Sequence, residues 1–123
     1  MLGRAVIALS LLALAGCQFP ASSQGCGGVQ IDWVDFIQVG QTQYVAGGAP
    51  ATLQESDLGP VAAHVRFKLE GNVCDPHYRP KDGDAAFLEP GTPIYQVNGY
   101  PPSQLLAARH NGGIVAYAAQ PAP

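Results

Sequence analysis

Three cysteine thiols are the most reactive side chains in this chain of 123 residues, and their positions give them different work. Cys17 closes the run Leu14-Ala15-Gly16-Cys17, directly after an apolar stretch. Leu, two small residues and Cys in that order, just behind a leader, form a lipobox. There the thiol is alkylated by a diacylglycerol group and the chain is cut before the cysteine. Cys26 and Cys74 remain as an even pair. In an oxidising compartment two such thiols form a disulfide. Closing residues 26–74 into a loop is worth about 4 kcal/mol in the chain-entropy model.

The leader supports that chemistry. Met1 to Arg4 carries one positive charge, and Ala5 to Ala13 (AVIALSLLA) is apolar apart from Ser10. That run is too short to span a bilayer, which takes about 20 apolar residues. The expected organisation is a signal peptide over 1–16, a lipidated tether over 17–25, a β domain over 26–118 and a disordered Pro/Ala tail over 119–123. The expected location is the extracytoplasmic face of a bacterial membrane, with palmitate-type acyl chains on Cys17 as the anchor. Eight extended residues after Cys17 reach at most about 27 Å, so the domain stays near the membrane.

Other constellations are weaker. Asp75, His77, Asp82 and Asp84 crowd one polar loop and offer oxygen and imidazole ligands to a divalent cation. Asp-Gly is also a tight-turn signal in its own right, and turn chemistry is the preferred reading, so no metal site is assigned. His64, Arg66 and Lys68 alternate along one predicted strand and would share its wet face, where they could receive an anionic group. A charged face that discourages edge pairing is the simpler account. Tyr100 stands between Gly99 and Pro101-Pro102 on a loop and is the aromatic best placed for contact. His64, Arg66, Lys68 and Tyr100 are the candidate binding residues.

No G-x-S-x-G, P-loop or H-E-x-x-H motif occurs, and with Cys26 paired to Cys74 no thiol nucleophile is left in the domain. No catalytic residue and no cofactor is assigned. Without residues 1–16 the chain has 107 residues, with five Lys+Arg against nine Asp+Glu. A net charge of −4 argues against nucleic acid as a partner. The expected partners are the membrane, through the lipid, and another envelope protein. A non-enzymatic partner-binding domain is therefore the leading expectation. A small-molecule or ion-binding envelope protein and an envelope hydrolase are the alternatives; the last would need His64, His77 or His110 to meet Asp75, Asp82 or Asp84.

The elements that must position these residues are short. Eleven Pro and fifteen Gly favour many tight turns over long helices. Gln30–Val39 and Thr42–Ala46 read as a hairpin around Gly40-Gln41, with a bulge expected near Val34-Asp35. Thr52 and Glu55 form a T-x-x-E capping box for a one-turn helix over 53–58, ended by Gly59 and Pro60. Val61–Leu69 alternates over nine residues and predicts one strand with Val61, Ala63, Val65, Phe67 and Leu69 inward. Short strands follow at 85–88, 94–98, 105–109 and 114–118, with turns at Pro90-Gly91, Asn98-Gly99 and Asn111-Gly112. The fold class is mainly β, a small antiparallel barrel or sandwich of about seven strands with one short helix.

The runs DGDAAFLEPGTPIYQVNGYPP (82–102) and LLAARHNGGIVAY (105–117), with Val34-Asp35-Phe36, Leu58-Gly59-Pro60 and VRFKL (65–69), resemble a family of small bacterial lipoproteins of actinobacterial and Bacillus type. The resemblance spans most of the domain and implies no established activity and no catalytic residues. Where the resemblance implies an aromatic-Arg pair before the LAA segment, this chain has Gln104-Leu105, so anything that Arg binds in the family would lack that contact here.

Overall fold

The computed structural model describes residues 26, 31–48 and 52–121. Cys17, the leader and the tether lie outside them. Eight strands form one curled mixed sheet: β1 (Phe36–Val39), β2 (Thr42–Ala46), β3 (Leu58–His64), β4 (Phe67–Lys68), β5 (Asp84–Ala85), β6 (Pro93–Val97), β7 (Leu105–His110) and β8 (Gly113–Ala119). Their order across the sheet is β3-β6-β7-β8-β2-β1-β5-β4. The mainly β class is as expected, and the layers are those of a curled half-barrel rather than two stacked sheets.

The sheet ends are the informative part. β3 and β4 lie at opposite edges of the order, yet only Val65 and Arg66 separate them in the chain. Val65 exchanges backbone hydrogen bonds with Gly91 and Thr92 beside β6, while Arg66 N–H already donates to Gly83 beside β5 (2.8 Å). One bent stretch therefore supplies both edges. This corrects the single regular strand expected over 61–69. Register shifts interrupt β3 between Leu58 and Val61 and between Val61 and Ala63, and the partner changes at Val65-Arg66. The alternation is lost with them: Val65 and Leu69 are buried, but Val61 and Phe67 are 45% and 40% exposed.

β4 and β5 pair in parallel, Phe67 opposite Asp84 and Lys68 opposite Ala85, against the expectation of an all-antiparallel sheet. A parallel pair needs a long crossover, and here the irregular connection 69–83 takes the place of a helix. The expected helix over 53–58 is a single 3-10 turn, η1 (Glu55–Asp57). Its cap is shifted by two residues: Gln54 N–H donates to Asp57 Oδ2 (2.7 Å). Glu55 cannot cap because its carboxylate is held elsewhere, as described below. Gly59 is no helix terminator. It lies in β3, where a Cβ would sit 3.0 Å from Asn98 Oδ1 and 3.3 Å from Gln96 O, so glycine there allows a close approach that any side chain would crowd. Pro60 is tolerated because β3 is an edge.

The hairpins follow the turn residues. Val39 pairs with Thr42 around Gly40-Gln41, and His110 pairs with Gly113 around Asn111-Gly112. Asn111 and Gly112 both have positive φ (53° and 77°), as a type I′ turn requires. The first strand begins only at Phe36, with no bulge in its pairing to β2, so Asp35 simply precedes it. At the other end the expected disordered tail begins too early: Ala119 ends β8 and its N–H bonds Gln104 O (2.9 Å), and the next residue, Gln120, still donates its N–H to Gln43 O (2.8 Å).

Apolar side chains fall into three groups. The interior holds Ile37, Tyr44, Val65, Leu88, Ile94, Leu106 and Tyr117. Inside it, the Tyr117 hydroxyl donates to Asp35 Oδ1 (3.1 Å), and burial raises its pKa. Two further groups lie outside the curl. Val97, Leu105, Ala107 and Ala116 are covered by Leu53, Leu58 and Ile114. Phe36, Leu69 and Ala86 are covered by Trp33, Val73, Tyr78 and Phe87. The Cys26–Cys74 disulfide, with Cα atoms 5.1 Å apart, closes this last region as expected.

Candidate functional site

The predicted basic stripe is divided by the bend. His64 ends β3 and Lys68 lies on β4, with Arg66 at the change of partner between them. Both permanent cations have acidic neighbours. Lys68 Nζ donates to Glu89 Oε1 at 2.6 Å, and this hydrogen bond raises the lysine pKa. Arg66 Nη1 lies 3.8 Å from Asp82 Oδ2. The Arg66 stem also lies across Gly83, where a Cβ would come within 2.7 Å of Arg66 Cγ and Cδ and where φ is +90°. The stripe is a pair of local cation–carboxylate contacts rather than a continuous basic strip.

The acidic loop is occupied by turn chemistry. Asp75 Oδ1 accepts the His77 N–H (2.8 Å), and Asp82 Oδ1 accepts the Gly40 N–H (2.8 Å). Asp84 is buried at 4% exposure. Its Oδ2 accepts the Tyr78 hydroxyl (2.8 Å) and the Lys81 N–H (2.7 Å). Burial, then the bond to Asp84, pushes the Tyr78 hydroxyl up to about 12. Among the described residues no three His, Cys, Asp or Glu side chains gather as a metal site would require.

The loop 98–104 is exposed throughout, with Tyr100 at 40% exposure, and it carries no charge. Its backbone is nonetheless fixed. Tyr100 N–H bonds Val97 O (3.1 Å), and Gln104 N–H bonds Pro101 O (2.9 Å). The Tyr44 hydroxyl donates to Pro102 O (2.9 Å). Asn98 ties the loop to η1: its N–H donates to Asp57 O (2.8 Å) and its Nδ2 to Ser56 O (3.2 Å). Tyr100 is thus held on a rigid base, which spares the ordering entropy that a loose loop loses on binding.

A cluster that sequence reasoning missed lies beside it. Arg109 on β7 donates from Nε and Nη2 to the two oxygens of Glu55 (2.9 and 2.6 Å). Its Nη1 donates to the Tyr95 hydroxyl (2.6 Å), and the guanidinium stacks on the Tyr95 ring at 4.9 Å. The Glu55 bond raises the Arg109 pKa, and the Arg109 bond holds the Glu55 carboxyl below its usual value. A shallow groove of about 380 Å³ runs from Leu53 and Glu55 past Arg109 to the Gly112–Ile114 turn. Glu55 and Arg109 are 54 positions apart, and no local pattern couples them. The one available signal was that Arg109 follows Leu105–Ala108, four buried residues on β7.

No protein-family model, no curated protein and no solved structure matches the chain. No helix among the described residues is long and apolar enough to cross a membrane.

Proposed function

We propose that the chain is a cell-envelope lipoprotein, acylated at Cys17, whose β domain binds a partner protein through the loop 98–104. The membrane address rests on Leu14-Ala15-Gly16-Cys17 behind its charged and apolar leader, and the resemblance of 82–117 to small bacterial lipoproteins agrees with it. The Cys26–Cys74 disulfide suits an oxidising compartment. The single observation that carries the binding role is the exposed Tyr100 on a hydrogen-bonded, uncharged loop. Exposed aromatics on rigid bases are what interfaces use as anchors.

In-cell cross-linking with mass spectrometry tests both halves, using a Cys17→Ala form and a Tyr100→Ala form. Cys17→Ala abolishes incorporation of an alkyne-labelled palmitate and releases the protein from the membrane fraction; retention of label sinks the anchor. Tyr100→Ala removes a cross-linked protein seen with the unaltered chain; an unchanged cross-link pattern sinks the loop as the contact surface. A second reading, a small-molecule binder, is favoured only by the groove at Arg109. It calls for a ligand-dependent rise in Tm that Arg109→Ala removes.

A further inference from the structure

We infer that the Arg109–Glu55 ion pair is a latch that sets the geometry of the Tyr100 loop, acting through η1 and Asn98. The inference rests on the reading of loop 98–104 as the contact surface and names the residues that regulate it. The chain of contacts is continuous. Arg109 is fixed on β7 by its stacking on Tyr95 and by the bond to the Tyr95 hydroxyl. It holds Glu55 with two parallel hydrogen bonds, a fork that a single-point cation cannot reproduce. Glu55 is the first residue of η1, and the next two residues, Ser56 and Asp57, present the carbonyls that accept both Asn98 bonds. Asn98 begins the turn that carries Tyr100.

Little else holds η1. None of its three residues is buried, and its own bonds are those of a single turn: Gln54 N–H to Asp57 Oδ2, Asp57 N–H to Gln54 O and Leu58 N–H to Glu55 O. The segment 53–58 is a strap over the sheet, fastened by Leu53 and Leu58 at its ends and by Glu55 in its middle. Glu55 and Arg109 are both more than half exposed, so water, salt and a competing carboxylate all reach the pair. Glu55 and Arg109 are positioning residues; Tyr100 makes the contact.

Amide hydrogen exchange of the folded, disulfide-bonded domain tests this without any partner. In Glu55→Gln and in Arg109→Lys, the Asn98 and Tyr100 amides exchange roughly two- to fivefold faster, the range expected from an exposed ion pair. The Leu106 and Tyr117 amides keep their rates. Raising NaCl from low to about 1 M, which screens exposed charges, produces the same selective change in the unaltered protein. The latch is overturned if Asn98 and Tyr100 keep their rates in both variants and in salt, or if all four amides accelerate together. The loop-contact reading fails separately, when Tyr100→Ala leaves partner cross-linking intact while the exchange result stands.

Discussion

The two apolar patches outside the curl are closed in different ways. On one side Phe36, Leu69 and Ala86 are covered by Trp33, Val73, Tyr78 and Phe87, and a covalent bond between Cys26 and Cys74 secures the cover. On the other side Val97, Leu105, Ala107 and Ala116 are covered by Leu53, Leu58 and Ile114. There the fastening is one exposed ion pair and a few hydrogen bonds. The first closure is permanent in an oxidising compartment. The second has no covalent bond, and its ion pair is open to water and salt. The exposed, uncharged loop with Tyr100 is attached to the second.

The largest test of this contrast is to remove the covalent closure. A domain with Cys26→Ala and Cys74→Ala loses about 4 kcal/mol of stability, read by urea unfolding, and the fluorescence of Trp33, part of the cover, shifts as the cover loosens. A loss under about 1 kcal/mol would mean that packing, not the bond, keeps that side shut. A smaller effect comes from Tyr78, which donates to the buried Asp84 on the same side. Its folded pKa is raised from 10.0 to about 12, so its contribution is present below about pH 10 and is lost as pH rises through about 12. Tyr78→Phe removes that alkaline loss, and the difference between the two proteins in unfolding free energy against pH checks it.

The smallest effect belongs to the ion-pair side. The Glu55 carboxyl is lowered from 4.5 by its bond to Arg109. Its contribution is complete above that value and disappears as pH falls through the lower folded one. Acid therefore frees the strap while the disulfide side stays closed, and Asn98 and Tyr100 exchange should rise, after correction for intrinsic rates, before Leu69 and Ala86 do. Simultaneous rises would erase the distinction between the two sides.

Much of the sheet was legible. Thr42–Ala46 and the hairpin at Asn111-Gly112 were readable because turn residues fix register locally, and the β7 and β8 strands fall within a residue of expectation. The disulfide followed from the even pair. The misreadings share one cause: partners distant in sequence. The alternation of Val61–Leu69 promised one strand, but the segment divides its pairing between β6 and β5, and Val61 and Phe67 turn outward. Glu55 fitted a capping box by spacing, yet a charged fork from Arg109 outcompetes a backbone N–H for its oxygens. For the same reason the candidate site was half visible. Tyr100 was flagged by its Pro-Gly surroundings, whereas the ties that hold its loop come from Ser56, Asp57 and Tyr44.

The stretch from Leu58 to Lys68 is a seam. Its first half is stitched to β6 and its second to β5. An ordinary edge strand can peel away and leave its sheet otherwise intact. Here peeling either half pulls at the other across Val65 and Arg66, so both borders of the sheet come undone together. A substitution at Val65, buried at the junction of the two halves, therefore weakens both borders at once.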